Sequence, residues 1–188
     1  MTRQNRLTSL LAAPALLVLA GCQSVPPMPT VASVDLPRFM GAWYVIANIP
    51  TFIERGAHNA VETYRLNPDG TIDTRFNFRA GSFEGKPKQY NPRGFVLDRH
   101  SNARWGMRFV WPIKADYRII YLNDDYSQTV VGRQQRDYVW IMARTPEIPA
   151  ADYERLLHFV ADQGYDPSKV QRVPQQWPPA AVRNAATP

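Results

Sequence analysis

The chain has 188 residues and a formal net charge of +6, from 22 Lys/Arg against 16 Asp/Glu. That length holds one domain of ordinary size with a real core. The basic charges are dispersed with no long Lys/Arg run, which argues against a nucleic-acid footprint and for a surface suited to an anionic membrane. The single cysteine, Cys22, leaves no intrachain disulfide, so stability must come from packing.

The N-terminus carries Arg3 and Arg6, then the apolar run 10–20, then Leu19-Ala20-Gly21-Cys22. A basic start, an apolar middle and small residues at the end read as a secretory signal. The run is too short for a transmembrane span. A cysteine directly after Leu-Ala-Gly resembles the bacterial lipobox, where the thiol is acylated and the chain is cut before it. The resemblance implies a signal peptide over 1–21 and a mature chain of charge +4 starting at Cys22. The alternatives are a secreted protein with a stray thiol in its signal, or an uncleaved helix. Residues 22–35 contain Pro26, Pro27 and Pro29 and read as a flexible tether from anchor to domain.

From Phe39 the texture changes to short apolar or alternating runs separated by turn signals, as in an all-β barrel or sandwich. The runs are 42–49, 59–66, 71–79, 93–97, 104–111, 117–122, 127–133 and 138–143. Asn67-Pro68-Asp69-Gly70 is a hairpin turn, because Pro presets φ and Gly supplies a positive φ. Loops are expected at 50–58 and 80–88. Eight short-connected strands predict an up-and-down antiparallel barrel, which leaves no open edge. One segment has helical period: Tyr153, Leu156, Leu157 and Val160 within 150–163, with Gly164 placed to cap its end. This helix is expected outside the barrel. A short strand is expected near 169–173, the domain over 36–174, and a loose Pro-rich tail over 175–188.

In this order and spacing the chain resembles the lipocalin family, specifically its bacterial outer-membrane branch, over about residues 36–173. Gly41-Ala42-Trp43-Tyr44 matches the G-x-W motif of the first strand. Asn123-Asp124-Asp125-Tyr126 matches the Asp-Tyr turn between strands six and seven, and Arg144 the third motif after strand eight. The stretches 52–56, 63–64 and 136–142 also look like that branch. The resemblance implies that Gly41, Trp43, Asp125, Tyr126 and Arg144 are structural. Trp43 would cover the closed end of the barrel with the Arg144 guanidinium across its indole. It also implies an outer-membrane location, favoured by Gln23 rather than Asp after the cysteine, with the barrel facing the periplasm. A homodimer is compatible with the resemblance.

An eight-stranded barrel of this kind has room for one small ligand. Alternation puts Ile72, Thr74, Phe76 and Phe78 on one face of the third strand. It puts Trp105, Met107, Phe109 and Trp111 on one face of the fifth, and Trp140 and Met142 on one face of the eighth. These apolar faces would line a cavity suited to an acyl chain, or else fill a solid core. Tyr64 and Glu62 share the inward face of the second strand. An acid there is costly unless hydrogen-bonded; it could pair with the Tyr64 region or orient a ligand head group, or else partner an internal Arg. Arg55, Lys86, Lys88 and Lys114 lie in presumed loops near the open end and could meet a phosphate or carboxylate, or remain solvated.

Catalytic patterns are missing from the sequence: no G-x-S-x-G, H-E-x-x-H, P-loop or G-x-G-x-x-G. The thiol belongs to the lipobox and is not available as a nucleophile. His58, His100 and His158 show no ligand spacing, and Asp124-Asp125 needs no metal in a β-turn. No cofactor and no enzymatic activity are expected. The first reading is a lipid-anchored lipocalin that stores or moves a fatty acid or lysophospholipid in the cell envelope. Its rivals are an isomerase-type enzyme on the same barrel and a structural lipoprotein with a filled barrel.

Overall fold

The computed structural model describes residues 25–178. Cys22, the signal segment and the last ten residues lie outside this range. Within it the chain forms β1 (Gly41–Ile49), β2 (Ala57–Leu66), β3 (Thr71–Ala80), β4 (Pro87–Tyr90), β5 (Arg93–Val96), β6 (Arg104–Val110), β7 (Ile113–Leu122), β8 (Gln128–Gly132), β9 (Val139–Ala143) and β10 (Gln171–Arg172). A one-turn helix α1 (Leu36–Phe39) precedes them, and α2 (Ala150–Asp162) follows β9.

The ring runs β1-β2-β3-β5-β6-β7-β8-β9 with every neighbouring pair antiparallel, and β1 pairs with β9 to close it, from Tyr44↔Ala143 to Ile49↔Val139. β4 and β5 both pair with β3 and form one strand interrupted at Asn91-Pro92. Pro has no N–H to offer a ladder; its carbonyl instead accepts from the Thr74 amide at 3.1 Å. Counted as one, they complete a closed eight-stranded barrel. The sequence missed β4 because its residues are polar and almost fully exposed, so they carry no alternation. β4 hydrogen-bonds only to β3, leaving its other edge unpaired.

The strands begin and end differently from expectation at two further places. β2 starts at Ala57, so His58 lies in a strand and not in a loop. The fifth run stops at Val110; Trp111-Pro112 form the turn, and the next strand begins at Ile113 instead of Tyr117. The β6–β7 register shifts between Met107 and Val110. A shift of this kind re-aims every side chain beyond it.

One end of the barrel is sealed. Arg144 lies 3.8 Å from the Trp43 ring centroid. Its guanidinium donates to the carbonyls of Ala42 (2.8 Å), Arg38 (2.8 Å) and Phe39 (3.1 Å), and its Nε to Tyr126 (3.2 Å). Burial lowers its pKa to about 10, so it stays charged at neutral pH. Trp43 donates its indole N–H to the Phe39 carbonyl at 2.8 Å. Phe39, Trp43, Tyr64, Trp105 and Tyr117 pack above this seal, with Trp105 stacked on Tyr117 at 5.0 Å. A buried aromatic of this size contributes roughly 1.5–3 kcal/mol through burial alone. Tyr126, at φ 61°, and Asp125 shape the β7–β8 turn at the same end.

The helix α2 lies against the outside of the barrel. Tyr153, Leu156 and Val160 are buried against Ile46, Val130 and Ile141. Gly164, at φ 87°, ends the helix in a conformation that disfavours other residues. β10 adds to β1 at Ala47↔Arg172 and Asn48↔Gln171.

Both segments read as loose are packed where they are described. Met28 and Val34 are buried, and the Val31 and Val34 amides bond the carbonyls of Ile119 and Ser101. At the other terminus, Gln175 donates to the carbonyls of Val45 and Ala60, and Trp177 meets Tyr44 edge-on at 5.4 Å.

Candidate ligand-binding cavity

β1 runs from the sealed end toward the other, so the β1–β2, β3–β4, β6–β7 and β8–β9 connections surround the mouth. Below the mouth the barrel is hollow, with a cavity of about 520 Å³. That volume falls within the range of small-molecule sites. The cavity excludes the filled-barrel alternative for the upper part of the molecule. The lower part is solid, closed by the aromatic cluster above Trp43.

Alternation brings some of the expected residues to this cavity and not others. Glu62, Phe76, Met107, Phe109 and Trp140 line it. Tyr64, Trp105 and Met142 point inward but sit lower, within the packed floor. Phe78 packs against Phe76 at 5.1 Å and Tyr90 at 6.2 Å, and does not reach the cavity surface. Trp111 is a correction: it is 79% exposed on the β6–β7 turn, because the register shift ends the alternation that would have carried it inward. Phe109 lines the mouth but is itself half exposed. Lys114 is also a correction. It lies in β7 on the outer wall, with its ammonium 4.1 Å from the Phe95 ring.

The cavity is apolar apart from a few placed groups. Tyr64 donates its hydroxyl to Glu62, and the Tyr64 and Tyr117 hydroxyls are 2.8 Å apart. Glu62 keeps accessible surface only toward the cavity, and this enclosure lifts its carboxyl to about 7 despite the Tyr64 bond. Burial also raises both tyrosines well above their usual range. Of the partners expected for Glu62, the structure supplies the Tyr64 hydroxyl and not an internal Arg. The Thr74 hydroxyl, buried in the wall, has no protein partner.

Glu54 is the functional residue that sequence reasoning missed. It belongs to the β1–β2 connection, yet it is only 5% exposed. Its carboxylate accepts from Asn48 Nδ2 (3.0 Å), the Thr51 amide (3.3 Å) and Trp140 Nε1 (3.1 Å). Burial raises its pKa against these three donors. Phe52-Ile53-Glu54 thus folds over the rim, which a loop reading of 50–58 could not foresee. The signal available was an acid directly after the apolar pair Phe52-Ile53 in a short connection.

The histidines are dispersed: His58 meets Phe83 edge-on at 4.9 Å, while His100 and His158 are exposed on a turn and on α2. No cluster among the described residues has the make-up of a metal site.

A closed antiparallel barrel, sealed at one end by a Trp–Arg pair and hollow at the other, has the architecture of a barrel-type binding protein. The lipocalin-like domain model matches residues 34–175, and the chain belongs to the lipocalin family, whose members bind hydrophobic ligands. It is 31% identical over 157 residues to the outer membrane lipoprotein Blc of Escherichia coli K12, covering 82% of this chain and 88% of that protein. It is also 31% identical over 170 residues to temperature-induced lipocalin-1 of Arabidopsis thaliana, covering 84% and 88% respectively. Among solved structures, insecticyanin from the tobacco hornworm Manduca sexta superposes with a TM-score of 0.62 at 15% identity, covering 83% of this chain and 87% of that one. The last likeness concerns the fold alone.

Proposed function

We propose that this lipocalin is anchored to the outer membrane through acylated Cys22 and carries a single-chain lipid, a fatty acid or lysophospholipid, in its barrel. The observation that carries the ligand is the 520 Å³ cavity, apolar over most of its wall and open at one end. A narrow barrel favours one acyl chain over two. The tail enters first and meets Phe76, Met107 and Trp140. A carboxylate or phosphate then stays at the mouth, near Arg55, Lys86 and Lys88, where it avoids the acidic Glu62. The unpartnered Thr74 hydroxyl suits a hydroxyl or keto group along the chain. The anchor is supported by the lipobox and by relatives named as outer membrane lipoproteins.

Mass spectrometry of lipid released from the natively purified mature protein tests the ligand. A stoichiometric single-chain lipid is expected; an empty barrel that also fails to take up any single-chain lipid on titration overturns the reading. Cys22→Ser tests the anchor separately. Unprocessed, unacylated precursor is expected, and a variant that still fractionates as mature lipoprotein overturns it.

A further inference from the structure

The rim of the cavity is apolar and exposed to solvent. Val110 is 68% exposed, Trp111 79% and Ile113 70%, all on the β6–β7 tip, and Phe52 on the facing connection is 79% exposed. Large exposed apolar side chains are ordinary when scattered. Gathered at one end around one opening, they mark an interaction site. Their exposure leaves them little packing to do; Phe52, Val110 and Ile113 also line the cavity mouth, whereas Trp111 is not part of the cavity wall and is free for an outside partner.

Two further observations say what meets this rim. The first is charge. Arg55, Lys86, Lys88 and Lys114 are exposed around or just below it. Of the acids at this end, Glu54 is buried, Asp116 is held by Arg118 at 2.9 Å, and Asp137 lies 3.4 Å from Arg133. Glu84, and Asp162 at the end of α2, are the acids of this end that are exposed without an ion pair among the described residues, against four exposed basic residues. The second is where the chain leaves the described fold. Pro26 accepts from Gln134 Nε2 (2.9 Å) and Arg136 Nη1 (2.8 Å), and the Met28 amide donates to Gln134 Oε1 (3.0 Å). Gln134 and Arg136 belong to the β8–β9 connection at the mouth. Cys22 precedes Val25 by three positions, a reach of at most about 11 Å. An anchor there holds the mouth, and not the sealed end, toward the bilayer.

We infer that the β6–β7 tip and Phe52 form a membrane-docking rim, in which Trp111 and its apolar neighbours enter the interface of an anionic bilayer while the surrounding lysines and Arg55 meet its phosphates. Trp sits well at that depth because its ring is apolar and its N–H polar. Basic residues add electrostatic attraction that falls off within a Debye length. The docked mouth opens directly onto lipid, so a single chain passes into the barrel without crossing water. The inference goes beyond the ligand reading and uses the anchor only for the direction of approach.

The test uses the unacylated mature chain, residues 22–188 with Cys22→Ser, which contains every described element. It is mixed with vesicles of phosphatidylcholine with or without phosphatidylglycerol, and co-sedimentation and the Trp emission maximum are measured. Association with the anionic vesicles and a blue shift are expected, both weakening with added salt. Trp111→Ser is expected to weaken association by about tenfold, since interfacial binding scales with the apolar area inserted. Lys114→Glu, on the outer wall, is expected to weaken it on anionic vesicles alone. Neither substitution is expected to change the uptake of monomeric lysophosphatidylcholine by the cavity. No association with either vesicle, or association untouched by Trp111→Ser, overturns the inference. A Trp111→Ser variant that instead converts a dimer to a monomer assigns the rim to a second copy of the chain and also overturns it. Loss of lysolipid uptake with vesicle association intact overturns the ligand reading and leaves the docking rim standing.

Discussion

Trp140 Nε1 donates to Glu54 Oε2 at 3.1 Å, tying the last barrel strand to the first connection at the mouth of the cavity. The two residues are distant in sequence, and the bond is a strap rather than a ladder contact. Hydrogen bonds to a charged group contribute about 1.5–3 kcal/mol, and a buried acid deprived of donors costs more. Trp140→Phe is expected to destabilise by about 1–3 kcal/mol, measured by urea denaturation. In a cycle with Glu54→Gln the two effects are expected to be non-additive, because the groups touch.

The pH dependence rests on Glu62. Enclosure lifts its carboxyl from 4.5 to about 7. Between these values the folded protein holds a proton that the unfolded chain has lost. Stability from this group is therefore greatest below the lower value and falls as pH rises through the window, by about 3 kcal/mol in all. Glu62→Gln is expected to remove this slope, read from denaturation midpoints on either side of neutrality. An acyl tail displaces the water that solvates ionised Glu62, so lysophosphatidylcholine, whose own charge is fixed here, is expected to bind more tightly as pH falls below about 7. A wild-type affinity that rises with pH instead would place the tail away from Glu62.

Trp140 is the tryptophan whose indole lies in the cavity wall; Trp43 and Trp105 are in the floor and Trp111 is on the rim. A saturable fluorescence change on lipid binding is therefore expected to vanish in Trp140→Phe while calorimetric binding remains. Affinity is expected to rise with chain length by at most about 0.8 kcal/mol per methylene until the cavity is full. Met107→Trp is expected to occupy that space and abolish binding with the barrel still folded.

At the sealed end, Trp43→Ala is expected to cost about 3–5 kcal/mol. Arg144→Ala is expected to cost less, about 1–3 kcal/mol, by withdrawing the guanidinium donors from the carbonyls of Arg38, Ala42 and Tyr126, while Phe39 keeps its bond from Trp43. The 3.8 Å contact between guanidinium and indole predicts a coupling of roughly 1–2 kcal/mol in a double-mutant cycle. A cycle that sums without coupling would mean that the two pack independently.

The sealed end was legible through the resemblance, because Gly41, Trp43, Asp125, Tyr126 and Arg144 match the three lipocalin landmarks in order and spacing. The helix was legible from its period, and the inward face of β3 from its alternation. The cavity was legible only in part. Alternation says which side of a strand faces in, but not how deep a residue sits, so Trp105 and Met142 fell into the floor. It also fails past a register shift, which is why Trp111 lies outside. Glu54 reaches its partners through a folded loop, and no local pattern encodes that. The segment 25–35 looked like a tether because it offers few apolar residues; two of them, Met28 and Val34, sit in notches that only the assembled barrel provides.

The pairing of Tyr44 with Ala143 has a consequence for the order of folding. β1 is made first and paired on one side by β2, but its other edge waits for β9, nearly the whole domain later. Until then Val45, Ala47 and Ile49 belong to an incomplete sheet with a bare apolar border, the kind of border that recruits strands from other chains. Among the eight strands of the ring, closure is the most non-local pairing and so the slow one. A chaperone that shields the β1 edge, and releases it once β9 is available, is the helper that this topology calls for.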